Sequence, residues 1–186
     1  MRRAVWTAGC LALAACGRGE PAPAGDAPIA PVASAAPAGE GEAAWVVTAG
    51  GAGPVRVGGD ASALGARVSV EGAGGTVETC QYVRPPGAPP GVGVMVVDGR
   101  VARVDVDSGR VATAEGVRVG DPEARVRSLY AGRVREQPHK YTRGRYLVVT
   151  PAGAPDGRIV FETDGSAVTR YRAGRIPEVE WVERCG

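Results

Sequence analysis

Hydrophobic and polar positions follow different rules in different stretches of the chain. Behind Arg2 and Arg3, residues 4–15 form an apolar run of twelve. Twelve residues rise about 18 Å as a helix, well short of a roughly 30 Å hydrocarbon core. The run therefore predicts a signal-peptide core rather than a spanning helix, and no other stretch approaches eighteen apolar residues. Residues 17–44 show no period; ten Ala and ten Gly plus Pro fill twenty of the twenty-eight positions. That composition cannot bury a core and predicts a disordered tether, about 87 Å long if fully extended in polyproline geometry.

From residue 45 onward short alternating runs return, and they come in two similar sets. Val55-Arg56-Val57-Gly58 is followed by Asp60 and a short helical segment. Val117-Arg118-Val119-Gly120 is followed by Asp121-Pro122-Glu123, a strong helix start with Asp at the N-cap and Pro in the first turn. Val126, Leu129 and Tyr130 then fall on one helical face. The first helix is weaker, because Gly65 interrupts it. Downstream, Asp98-Gly99 and Asp164-Gly165 each sit between β-rich runs, the favoured signal of a two-residue hairpin. In the second set the strands are expected near 134–141, 145–150, 158–163 and 167–173, with a last alternating strand over 179–183. The expectation is an α+β fold, a tandem repeat of a helix packed on a small antiparallel sheet. Its boundaries are a signal peptide over 1–15, a tether over 16–44, a first repeat over 45–110 and a second over 111–186.

The leader closes on Leu13-Ala14-Ala15-Cys16, which resembles the lipobox of bacterial lipoproteins. The resemblance implies diacylglycerol on the Cys16 sulfur, a membrane partner through that anchor, and sorting to the outer membrane, since Gly17 stands where a retention signal would carry Asp. A conventional leader cleaved elsewhere would leave Cys16 a plain thiol. With Cys10 removed in the leader and Cys16 assigned to lipid, Cys80 and Cys185 remain. An even pair in an exported chain reads as a disulfide. It would stabilise by roughly 4.7 kcal/mol in the chain-entropy picture, and no Cys-x-x-Cys supports a redox role.

The element Val-x-Val-Gly followed by a short helix and a small antiparallel sheet resembles the SmpA/OmlA-type outer-membrane assembly lipoproteins. It is also similar to the tandem helix-on-sheet fold of the secreted beta-lactamase inhibitor protein. The match runs best over 117–130 and more loosely over 55–68. The Met expected after the Gly is Gly59 in one set and Asp121 in the other.

Composition adjusts this picture in two ways. Leu occurs only at 11, 13, 64, 129 and 147 and aromatics number nine, which argues against a long helical bundle and rests the hydrophobic content mainly on Ala and Val. The formal charge of +2 hides one asymmetry. Residues 125–145 hold seven basic side chains against the single acid Glu136, whereas 45–110 balance at six against six. Within that segment Lys140, Tyr141, Arg143, Arg145 and Tyr146 form the candidate binding set, suited to an anionic glycan, lipopolysaccharide phosphates or an acidic protein face. The alternative is an ordinary solvated sheet face.

Catalytic chemistry finds little footing. His139 is the only histidine, and Ser62, Ser69, Ser108, Ser128 and Ser166 all lie outside Gly-x-Ser-x-Gly. No zinc ligand set exists, and Asp105 with Asp107 falls short of a calcium loop. Glu162, Asp164, Glu178, Glu180 and Glu183 alternate with basic residues as on exposed strands. The expectation is a non-enzymatic envelope lipoprotein without cofactor or metal, presenting a protein-interaction domain to the periplasm, with envelope assembly as a role it could serve. A glycan- or lipopolysaccharide-binding role and an enzyme-inhibitor-like module are the alternatives; nucleic acid is not expected as a partner.

Overall fold

A computed structural model describes residues 45–65 and 80–185, all within one compact unit. The signal peptide, the tether and Cys16 lie outside these residues. The strands run in chain order as β1 (Val46–Thr48), β2 (Gly51–Ala52), β3 (Val55–Arg56), β4 (Cys80–Val83), β5 (Val92–Val97), β6 (Arg100–Val106) and β7 (Ala112–Thr113). After α1 (Glu123–Leu129) come β8 (Val134–Pro138), β9 (Arg145–Val149), β10 (Gly157–Thr163) and β11 (Val168–Arg175). One sheet has the order β3-β2-β1-β7, and the other has the order β4-β5-β6-β11-β10-β9-β8.

This architecture overturns the tandem helix-on-sheet expectation. The fold is mostly β, and α1, with seven residues, is the only α-helix among the described residues. The first expected helix is a single 3-10 turn, Ala61–Leu64. Asp60 accepts from the Ser62 N–H at its start, and Gly65 ends it in the left-handed region, too soon for a second turn. Nor do the two sets of strands form separate units. The meander β4-β5-β6 and the meander β8-β9-β10-β11 join edge to edge where β6 pairs antiparallel with β11, Val104 opposite Ala173. Parallel pairing of β1 with β7 ties the two halves again. The local signals were shared by both halves, but the pairing that satisfies their backbone groups crosses between them.

Two smaller corrections have equally local causes. Asp98 and Gly99 make the expected two-residue turn, both with positive φ. Asp164-Gly165 instead opens a four-residue loop between Thr163 and Val168, because the Asp164 carboxylate accepts from the Ser166 and Ala167 N–H groups. Asp121 does not cap α1; its carboxylate accepts from the Arg118 N–H and pairs with Arg125.

Alternation along the seven-stranded sheet sorts its two faces. One carries Val92, Val94, Val104, Val106, Leu147, Val149, Ile159, Phe161, Tyr171 and Ala173. Against it pack Val126 of α1, Tyr130 at its C-terminal cap, and Val47, Ala52 and Val55 of the small sheet. Each buried Val or Leu there stabilises by roughly 1.5–3 kcal/mol. Tyr130, Phe161 and Tyr171 form the aromatic centre, with ring centroids 5.7 and 5.5 Å apart. The opposite face carries Tyr82, Met95 and Ala102 at one end and Tyr146, Val148 and Val160 at the other. Between them lie charged residues, and the C-terminal segment crosses over them.

Candidate functional site

That crossing segment begins after β11, makes a 3-10 turn over Glu178–Glu180 and ends at Cys185, which is disulfide-bonded to Cys80 on β4. It was expected to be a strand over 179–183. It is instead a strap whose carbonyls are taken by arginine side chains rather than by a neighbouring strand. Arg103, only 1% exposed, donates to the carbonyls of Glu178, Trp181 and Glu183 at 2.9, 2.7 and 3.3 Å. Arg172 donates to the Val179 carbonyl at 2.6 Å. Val179 and Val182 then close over Tyr146, Val148 and Val160.

The two arginines are themselves paired. Arg103 meets Asp105 at 2.9 Å, and Arg172 meets Glu162, which also takes Arg170 at 2.7 Å and His139 at 3.2 Å. Burial raises the Asp105 carboxyl above its ordinary value, even beside Arg103. Burial also pushes against ionisation of Glu162, but Arg172 and Arg170 together hold it below its usual range. Arg172 is lowered by its own burial, with Glu162 opposing. Glu162, read from its alternation as solvent-facing, is 2% exposed, and Glu178 is buried too.

His139 links this network to the surface. Its Nε2–H donates to Glu162, its Nδ1 accepts from the N–H groups of Tyr141 and Thr142, and its ring stacks on Tyr146 at 4.5 Å. It therefore fixes the start of the β8–β9 loop, residues 139–144. The other end is fixed by Gly144, where any Cβ would run into the Thr163 carbonyl.

The structure divides the candidate binding residues. Tyr141 is 62% exposed, with the Lys140 ammonium 4.9 Å from its ring centroid. Lys140 pairs with Glu183 of the strap at 3.0 Å, and the Tyr141 hydroxyl donates to the same carboxylate. These bonds, from Tyr141 first and Lys140 second, lower Glu183. Arg143 is exposed at the loop tip. Arg145 reaches instead toward Glu136, at 3.5 Å. Tyr146 is buried under the strap and belongs to the support, not the surface. The other basic residues of the segment are also largely answered by acids: Arg125 by Asp121, Arg127 by Glu123 and Glu136, and Arg135 by Glu180. Trp181 and Ile176, absent from the expected set, are also exposed apolar side chains, each 40% exposed; Ile176 lies beside Asp156, at the far end of β10 from the loop. Trp181 could have been singled out by its place in a run otherwise read as strand; Ile176 carries no such signal.

Asp105 and Asp107, considered together for calcium, are engaged separately, the first by Arg103 and the second by Arg184 at 3.1 Å. Among the described residues no group of three or more His, Cys, Asp or Glu is placed to hold a metal ion, and no helix is long and apolar enough to cross a membrane.

No protein-family model matches the chain, and no curated protein sequence matches it. Among solved structures, the chain is similar to the uncharacterized protein yfeY from Escherichia coli, at 18% identity and a TM-score of 0.36, over 57% of this chain and 79% of that one.

Proposed function

We propose that the chain is a non-enzymatic, lipid-anchored envelope protein that uses the β8–β9 loop and the adjoining strap to bind a partner protein. The observation that carries the reading is the pairing of an exposed loop with a rigid support. Tyr141, Lys140 and Arg143 stand outside, while His139 and Tyr146 hold the loop from beneath. Exposed aromatic and basic side chains on a fixed base are what a binding anchor needs. The non-enzymatic part is supported by the engagement of the sole histidine, whose two ring nitrogens are taken by Glu162 and the loop backbone. The Cys80–Cys185 disulfide and the leader ending at Cys16 support an exported, anchored protein.

The test is a photo-crosslinking residue at Tyr141 in intact cells, with Arg118 as an exposed control position. One defined protein adduct at Tyr141, missing at Arg118, is the expected result; none at Tyr141 sinks the protein-binding role. The exposed Tyr141 ring flanked by cations also favours a second reading, an anionic glycan or lipopolysaccharide. Saturable lipopolysaccharide binding abolished by Arg143→Ala with Arg145→Ala would establish that reading in place of the first. For the anchor, Cys16→Ala should move the protein out of the membrane fraction; continued fractionation with membranes means the sulfur carries no lipid.

A further inference from the structure

A cleft on the other side of the molecule shares no residue with this surface. It has a volume of about 300 Å³, at the small end of ligand sites. Its walls are the β1–β2 turn (Thr48, Ala49, Gly50), the turn after β7 (Ala114, Glu115), the loop after β9 (Pro151, Ala152, Ala154), Ile159 and Arg133. Apart from Glu115 and Arg133, these walls are small or apolar. Those two have opposite charges, and neither forms an ion pair with any described residue.

Both are organised by Tyr130. Its hydroxyl, buried with the ring, donates to Glu115 Oε2 at 2.6 Å and shares the Thr113 hydroxyl at 2.8 Å. The Arg133 guanidinium lies 5.3 Å from the centroid of the same ring. One aromatic ring thus sets a carboxylate and a guanidinium apart, on the wall of one cleft, each with bonding capacity left over. From this charge complementarity we infer that the cleft binds a short zwitterionic peptide of small residues, its ammonium at Glu115 and its carboxylate at Arg133. The volume of about 300 Å³ leaves room for about two or three small residues. Because Tyr130 already holds the carboxylate and lies beside the guanidinium, meeting the two termini would cost them less freedom than two unheld side chains.

The full-length, detergent-solubilised protein should be titrated calorimetrically with L-alanyl-L-alanine and, in parallel, with N-acetyl-L-alanyl-L-alanine amide, whose charges are blocked. The free dipeptide is expected to bind saturably, and the blocked one at least about tenfold more weakly. Glu115→Gln, which keeps an acceptor for Tyr130, and Arg133→Gln should each weaken the free dipeptide by about tenfold or more at an unchanged thermal midpoint. Absence of saturation, equal binding of the blocked dipeptide, or loss through only one substitution overturns the assignment. Should either variant fail to fold, the comparison of the two dipeptides on the unaltered protein decides.

Discussion

Replacing Arg103 by Met removes the arginine that donates to three of the strap's carbonyls, leaving Arg172 with one. Arg103 is enclosed, and its departure strands Asp105, a carboxylate already raised by burial. Breaking a buried pair from one side costs about 3–5 kcal/mol, because the remaining charge loses its bonded partner, and Arg172 and Arg184 act on Asp105 only as secondary charges. The carbonyls of Glu178, Trp181 and Glu183 lose their donor as well. They sit on a segment that can lift slightly toward water, so the stranded carboxylate sets the magnitude. At roughly 3 °C per kcal/mol for a domain of this size, the thermal midpoint should fall by about 10 °C or more. Arg103→Met with Asp105→Leu deletes the stranded charge, and most of the loss should return, since an apolar pair of similar volume is often neutral. Asp105→Leu alone should cost less than Arg103→Met, because Arg103 keeps its three carbonyl acceptors. Urea unfolding at pH 7 without reductant, followed by tryptophan fluorescence, measures all three. A loss under about 1 kcal/mol for Arg103→Met, or a double variant no more stable than that single one, would falsify the reasoning.

Three further outcomes are expected. Cys185→Ser should cost about 2–5 kcal/mol in the same unfolding assay, with an upper scale of roughly 4.7 from the 105-residue separation; hydrogen exchange should rise first in the strap, and an unchanged strap would show that the arginines hold it alone. Glu162 has its folded pKa depressed below 4.5, so its contribution is complete above that pH and is lost as pH falls through the depressed value; Asp105, raised, runs the other way, its cost easing as pH falls through its raised value toward 3.8. The urea midpoint should therefore hold or rise slightly on first acidification and decline only below about pH 4.5, and a decline already complete at pH 5 contradicts this order. Gly144→Ala should destabilise by about 1–3 kcal/mol in a thermal melt, since the new methyl must displace the Thr163 carbonyl.

How much the sequence revealed depended on the range of the determining interaction. Asp98-Gly99 sets its own turn, and alternation over 145–150 and 158–163 places β9 and β10 within a residue or two. The cysteine pair followed from redox arithmetic. Legibility ended where distant segments decide. Alternation says only that Arg103, Asp105, Glu162 and Arg172 lie on the face opposite Val104 and Phe161. Whether that face meets water depends on the strap, some 75 residues beyond Arg103. For the same reason a local excess of positive charge over 125–145 became mostly paired once Glu180 and Glu183 arrived from the C-terminus. The expected repeat failed in a similar way: similar local strings were present, but the strand edges of one half were completed by the other.

The junction of β6 with β11 also bears on how the chain escapes aggregation while it folds. When the first meander has formed, β6 is an open edge, and it stays open until β11, more than sixty residues later, can pair with it. An apolar edge waiting that long would be a template for another copy of the same chain. Arg103 and Asp105 sit in the middle of that edge and would have to be desolvated against any wrong neighbour. Inward-pointing charges of this kind discourage strand exchange. The right neighbour brings Arg172 opposite Asp105 together with Glu162 from the preceding β10, and the strap's carbonyls come last. The ion network that clamps the finished sheet thus also guards the unfinished one, admitting the strand that carries its counterions.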